Sequence, residues 1–244
     1  EAAFLSGDYI KGDNADFDAD LAIDTVQLWA FLEATQSDEL DKLRPRHNWQ
    51  RLVLERLDRK IKKDGVLTVL KKGLSVDDAH LKLLYRLPYN TKTPEVTRLF
   101  ETNIFSVTRQ VYFSTTDSNP SVDMVLFING LPVVSMELKQ PWKGQNVSHA
   151  RKQYQQRDHR EPLFQFGRCL VHFAVDTDEV RANRAQRADH EDRQLDVGEL
   201  DREDLALAFL GNKVIGRAEE AQQQPDDQGV GVDHADDVER QDLG

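Results

Sequence analysis

One cysteine, Cys169, stands in 244 residues, which excludes a disulfide framework and fits a reducing compartment. No run of 18 or more apolar residues occurs, and the first residues lack the basic-then-apolar order of a secretion signal. The sequence therefore reads as that of a soluble, cytoplasmic protein. A Gly-x-x-x-x-Gly-Lys-Ser/Thr phosphate loop is missing throughout, so no ATP site of that kind is expected. Residues 181–244 contain no Ser, Thr, Tyr, Trp, Met or Cys and one aromatic residue, Phe209. Such a segment buries little apolar surface and is expected to be a disordered tail. The want of hydroxyl residues is odd even for a tail, and an out-of-frame reading is the second expectation there.

Positive charge is also scarce, with a formal net charge of -11. The deficit is uneven: residues 1–180 hold 24 Lys and Arg against 26 Asp and Glu, whereas residues 181–244 hold 8 against 17. The first part is nearly neutral, and nucleic-acid binding depends on local basic surface more than on the total, so an acidic chain does not exclude DNA.

What is present organises into two patterns. Glu1 to Leu5 reads as the end of a helix, so the chain is expected to be truncated at its start. Apolar residues at helical spacing follow from Asp24 (Val26, Leu28, Trp29, Phe31, Leu32) and over Asn48 to Lys63 (Leu52, Val53, Leu57), with Asp64-Gly65 as a stop and a short helix over Val66 to Lys72. The period then shifts: His80 to Leu87 alternates as a strand would, ending at Pro88. Thr93-Pro94-Glu95 is a helix start. Strands are expected over Ile104 to Ser114, Ser121 to Ile128 and Val133 to Lys139, then a helix from Val147 to about Asp158 and a strand from Cys169 to Val175. The order is αβββαβ, an α/β class with a mixed central sheet. The expected divisions are an N-terminal helical region over 1–92, a core over 93–180 and the acidic tail over 181–244.

The chemistry lies in SVDMVLFINGLPVVSMELK, residues 121–139. If Asp123 pairs opposite Glu137, then Val122, Met124, Leu126, Ile128, Val134, Met136 and Leu138 share one face, and Asp123, Val125, Phe127, Val133, Ser135, Glu137 and Lys139 share the other. This register needs a connection of three or five residues around Asn129-Gly130, because a strict two-residue turn puts the two acids on opposite faces. Directly opposed residues have Cβ atoms roughly 4.5–5.5 Å apart, and carboxylates that close repel unless a cation lies between them. Mg²⁺, a hard ion that takes carboxylate oxygens and keeps several waters, suits that gap. Lys139, two residues beyond Glu137, projects beside such an ion, where an ammonium orients an attacking water or stabilises charge on a phosphate. The bland alternative is a solvated sheet face with ordinary exposed charges. Lys143, Gln145, Arg151, Gln153 and Tyr154 follow on the next loop and helix as groups suited to a DNA backbone, or to a loop and a solvated helix. Trp142 suits packing as well as base stacking, and His172, in an apolar strand, reads as a satisfied core histidine.

At these residues the sequence resembles the N-terminal nuclease domain of the restriction (R) subunit of type I restriction-modification enzymes. The resemblance runs from Tyr9 to Val180, through YIKGDNADFD, LWAFLEATQ, VTRQVYFSTTDSNPSVDMVLFINGLPVVSMELKQPWKGQN, ARKQYQQRDHREPLFQF and LVHFAVDTDEV. It implies a PD-(D/E)xK restriction-endonuclease-like core, with Asp123 and Glu137 as Mg²⁺ ligands and Lys139 as the catalytic lysine of a type I site-specific deoxyribonuclease. Double-stranded DNA and the modification and specificity subunits are the implied partners. ATP serves the family's motor, and no ATP site is expected in these residues. Related nucleases carry a Gln four residues before a Tyr on the next helix; here Ala150 holds that place and Gln153 adjoins Tyr154. An inactive truncated fragment, docking on other subunits through residues 24–72, is the alternative reading.

Overall fold

The computed structural model describes residues 5, 7, 9–86, 94–117, 119–140, 144–176 and 180–183. These residues fall within one compact unit, Glu1–Gly211. Its centre is a six-stranded mixed sheet built from β1 (Ile10–Lys11), β6 (Phe105–Tyr112), β7 (Ser121–Ile128), β8 (Leu131–Leu138), β9 (Val171–Val175) and β10 (Val180–Asn183), in that spatial order. The β6-β7-β8 meander is antiparallel, β1 runs parallel to β6, and β9 runs parallel to β8. Strand β10 pairs antiparallel with β9 and extends the sheet three residues past the boundary expected at 180; residues 184–244 lie outside the described residues.

The expected N-terminal helices form. Helix α1 (Thr25–Asp41) begins at Asp24, whose carboxylate accepts the Gln27 N–H at 3.0 Å, satisfying one of the donors a helix start leaves without a partner. Helix α2 (Trp49–Asp64) buries Val53, Leu57 and Ile61, a single stripe at i, i+4 and i+8, and gives way at Gly65 to α3 (Val66–Lys72). Gly65 is pressed against Gly167: a Cβ on Gly167 would lie 2.8 Å from the Gly65 Cα, and Val66 N–H donates to the Gly167 carbonyl at 2.6 Å. Side chains of α1 to α3 share one apolar cluster with Val107, Leu126, Val134 and Val171 of the sheet. A smaller cluster holds Val125, Phe127, Tyr154, Leu163, Phe164 and Cys169. Beyond α4 (Pro94–Glu101) and the β6-β8 meander, α5 (Val147–Gln156) packs on β8, β9 and β10. None of the described helices is long and apolar enough to cross a membrane.

Two expectations are corrected. The strand expected over His80 to Leu87 is confined among the described residues to β5 (Ala79–Leu81), paired with β4 (Leu74–Val76) in a hairpin separate from that of β2 (Phe17–Asp18) and β3 (Ile23–Asp24). Leu87 lies outside the described residues. The partner is only three residues long, and at Lys82 the main chain turns its hydrogen bonds to a side chain instead: Gln36 accepts the Lys82 N–H at 2.6 Å and donates to its carbonyl at 2.8 Å. Gln36 itself sits at a kink in α1 (φ -147°, ψ 37°). The alternation still reported burial, since Ala79, Leu81 and Leu83 are all in the core.

The second correction concerns the central hairpin. The turn is a two-residue Asn129-Gly130 turn, with φ of 50° and 80°, and Ile128 pairs with Leu131. Such a turn alone would separate the acids onto opposite faces. Instead the register shifts between Leu126 and Phe127: Phe127 pairs with Pro132 but Leu126 pairs with Val134. Val133 is an extra residue, a β-bulge, and it packs in the larger apolar cluster rather than with Val125 and Phe127. The bulge supplies the odd residue that the expected register assigned to the loop. The turn is fixed from outside, because Asn129 accepts the Ile104 N–H at 2.7 Å and donates to the Leu83 carbonyl at 3.0 Å. Gly130 accepts the Asp24 N–H at 2.9 Å through its carbonyl, and a Cβ there would stand 2.2 Å from the Asp24 carbonyl oxygen.

Candidate active site

Beyond the bulge the pairing is regular: Val125 faces Ser135 and Met124 faces Met136. Asp123 and Glu137 are the next residues on the two strands, near enough for the Asp123 charge to act on Glu137, and the Leu138 N–H donates to Asp123 Oδ2 at 2.8 Å. Gln110 of β6 donates from Nε2 to Asp123 Oδ1 at 3.2 Å while its Oε1 accepts the Ser121 hydroxyl at 3.1 Å. Gln110 adopts φ 50°, a left-handed conformation uncommon outside glycine, Asn and Asp and enriched at functional sites. Both oxygens of Asp123 are thus oriented by donors from the neighbouring strands.

Glu137 is 1% exposed. Burial raises its carboxyl above the ordinary carboxylate range; the Arg157 guanidinium draws it back, the Asp123 charge pushes it up again, and Lys139 adds a further downward pull. Arg157 donates from Nη2 to Glu137 Oε1 and, at 3.0 Å, to the Ser121 carbonyl. Lys139 Nζ stands 3.8 Å from Glu137 Oε2 and donates to Gln153 Oε1 at 2.6 Å. Two acids, an ammonium, a guanidinium and an amide therefore converge where β7 and β8 meet α5.

Of the sequence-derived candidates, Asp123, Glu137, Lys139 and Gln153 are brought together. Tyr154 is not on the surface a duplex reaches: it is 6% exposed, its ring against Phe164 and His172, and its hydroxyl lies 2.9 Å from Ser135 Oγ. The cause is helical phase, since Val147, Ala150 and Tyr154 form the buried stripe of α5. Gln145 is exposed and Arg151 half-buried, and no contact joins either to the acids. Lys143 and Trp142 lie outside the described residues. His172 is buried with Nδ1 2.7 Å from Ser135 Oγ, the core role its apolar strand suggested.

Sequence reading missed Arg157 and Gln110. Arg157 caps α5 three residues past Tyr154, in phase with the buried stripe of Val147, Ala150 and Tyr154, so helical spacing carried a signal that this side chain turns inward. Gln110 lies directly across β6 from Asp123, a signal available once the β6-β7 register is known.

Among the described residues no group of three or more His, Cys, Asp or Glu side chains forms a metal cage. Mg²⁺ is usually held by one or two carboxylates, with waters and substrate phosphate completing its shell. The donor set fits: hard oxygens on neighbouring strands, Glu137 buried and Asp123 half-buried, close enough that the Asp123 charge raises the Glu137 carboxyl.

A search among curated proteins returned no relative matching the chain. Residues 24–191 match the model of the type I restriction enzyme R protein N terminus. The match continues past the boundary expected at 180. Covering more than half of the chain, it shows that this protein belongs to the family of type I restriction enzyme R protein N termini.

Proposed function

We propose that the chain is the nuclease part of a type I restriction enzyme R subunit, with a PD-(D/E)xK core that hydrolyses DNA phosphodiester bonds with Mg²⁺. The observation that carries this reading is the bulged β7-β8 register, which brings Asp123 against Glu137 with Lys139 3.8 Å from the second carboxylate. Asp123 and Glu137 are the residues to hold the ion. A bound Mg²⁺ supplies Lewis-acid polarisation of the phosphate and a more acidic water. Lys139, held by Gln153, keeps an N–H donor at the site, suited to orienting the attacking water or stabilising the negative charge that develops on phosphate oxygen. Hydrolysis forms one P–O bond from water, breaks one P–O bond of the backbone and returns the water proton to solvent or the leaving oxygen.

The chemistry of the α5 surface supports a DNA partner, with Arg151 and Lys152 on its outer side as phosphate-contacting groups. Sequence choice and motor action are assigned to other parts of the assembly, and the modification and specificity subunits are the proposed protein partners. The test is plasmid cleavage by the purified chain with Mg²⁺, with chelator and with Lys139→Ala. Cutting that needs the metal and is lost in the variant is expected; equal cutting by both proteins overturns the role of Lys139. Divalent-ion binding distinguishes a nuclease from a docking fragment, since only the former loses an ion on Asp123→Ala.

A further inference from the structure

Arg157 is out of place among the expected site residues. Its side chain is 7% exposed, and its guanidinium carbon lies 4.4 Å from the ring centre of Phe113, 5.2 Å from that of Phe164 and 5.9 Å from that of Tyr154. Nη2 serves two acceptors, Glu137 Oε1 on β8 and the carbonyl of Ser121 at the start of β7. A guanidinium keeps its charge at any pH a protein tolerates and presents its donors in a rigid plane. Burial of such a group is costly unless it is paired, so the cage and the two acceptors hold it in one place.

Two roles follow from an arginine on a metal-binding carboxylate, and they differ in sign. As a stand-in cation it competes with the ion, and its removal tightens ion binding by simple Coulomb attraction. As an anchor it aligns the carboxylate, and its removal loosens binding. The surroundings favour the anchor. For Arg157 to leave, three ring contacts and the Ser121 hydrogen bond must be surrendered with the ion pair, whereas Glu137 Oε2 has Lys139 at 3.8 Å and no closer partner among the described residues.

We infer that Arg157 is a positioning residue for the metal site: it commits Oε1 of Glu137 to the protein, leaves Oε2 as the single oxygen offered to the ion, and ties the strand bearing Asp123 to the strand bearing Glu137. This rests on the nuclease reading above.

The test is Mn²⁺ binding to the full chain, followed by loss of the free-ion electron paramagnetic resonance signal, for wild type, Asp123→Asn, Arg157→Gln and Arg157→Lys, each checked for folding by circular dichroism. Loss of an aligning partner behind a ligand weakens metal binding by about 10- to 100-fold. Arg157→Gln is expected to fall in that range, with Arg157→Lys between it and wild type. Unchanged or tighter binding by Arg157→Gln, while Asp123→Asn abolishes it, overturns the anchoring role and leaves the nuclease reading standing. Should Arg157→Gln fail to fold, Arg157→Lys decides: wild-type affinity overturns the proposal, weakened affinity supports it. A wild-type chain that takes up no Mn²⁺, or an Asp123→Asn chain that binds as wild type does, removes the ground of both.

Discussion

Met124 faces Met136 across the central hairpin although the turn between their strands is only Asn129-Gly130. The pairing is off by one from what that turn dictates, and Val133 absorbs the difference. Every relationship at the acidic end of the hairpin depends on this bulge, because strand side chains alternate with a period of two and a single slip exchanges the faces.

Deleting Val133 is therefore expected to carry Glu137 and Lys139 to the opposite face or to unfold the hairpin. Val133→Ala keeps the bulge and loses only packing, on the order of 1–3 kcal/mol by the usual cost of truncating a buried aliphatic side chain. Chemical denaturation and Mn²⁺ binding on both variants check this; a deletion variant that binds the ion as Val133→Ala does refutes the role of the bulge.

Glu137→Ala leaves the Arg157 guanidinium buried without its carboxylate. Breaking a buried pair from one side costs about 3–5 kcal/mol, and a loss of that size is expected in urea denaturation. Replacing both residues with apolar ones of similar bulk, Glu137→Leu with Arg157→Met, is expected to recover most of it. A single variant as stable as wild type speaks against a tight pair.

Lys139→Ala separates chemistry from binding. Its side chain donates to Gln153 and lies near Glu137, and an ammonium has no lone pair to offer an ion. Plasmid cleavage is expected to fall by at least ~100-fold, the scale of a lost charge-stabilising donor, with Mn²⁺ affinity within a few-fold of wild type. A matching collapse of affinity places the lysine in ion binding instead.

Acid stability reports two buried groups of opposite sign. Burial pushes the Asp24 carboxyl up to about 6, with the Asp16 and Asp13 charges adding and the Gln27 N–H opposing. Folded Asp24 thus holds its proton more tightly than the unfolded chain, so its contribution is full below the ordinary carboxylate range and lost as pH rises through about 6. Burial pushes His172 down to about 4, with the Arg157 charge adding. Its contribution is full above the ordinary histidine range and lost as pH falls through about 4.

Each is on the order of 3 kcal/mol at one pKa unit per 1.4 kcal/mol, and between pH 4 and 6 they offset one another. Thermal melts of Asp24→Asn are expected to drop more steeply on acidification than wild type, and those of His172→Gln less steeply. Parallel profiles for all three proteins contradict the assignment.

The sequence reading succeeded where a local pattern decides structure. Leu52, Val53 and Leu57 disclose α2, and the run Ser121 to Ile128 matches β7 at both ends, although Val125 and Phe127 on its second face are buried as fully as the first. The Asp123 and Glu137 pairing was reachable because only one register places all the hairpin charges together. What escaped was set by distant partners. Gln36, 46 positions away, takes over the Lys82 main chain and ends β5 early; Arg157 reaches Glu137 only after the chain leaves α5. Tyr154 was grouped with the polar residues of its helix as a DNA contact, while the buried stripe of that helix points it inward.

The inward hydroxyl of Tyr154 fixes the rotation of α5 about its own axis. With that oxygen tied to Ser135, a roll of the helix costs a buried hydrogen bond, and Gln153 beside it meets Lys139. The flank bearing Lys152 and Gln155 is then the one left facing solvent. Loosening the tyrosine is therefore a way to shift Gln153 and Lys139 without touching either.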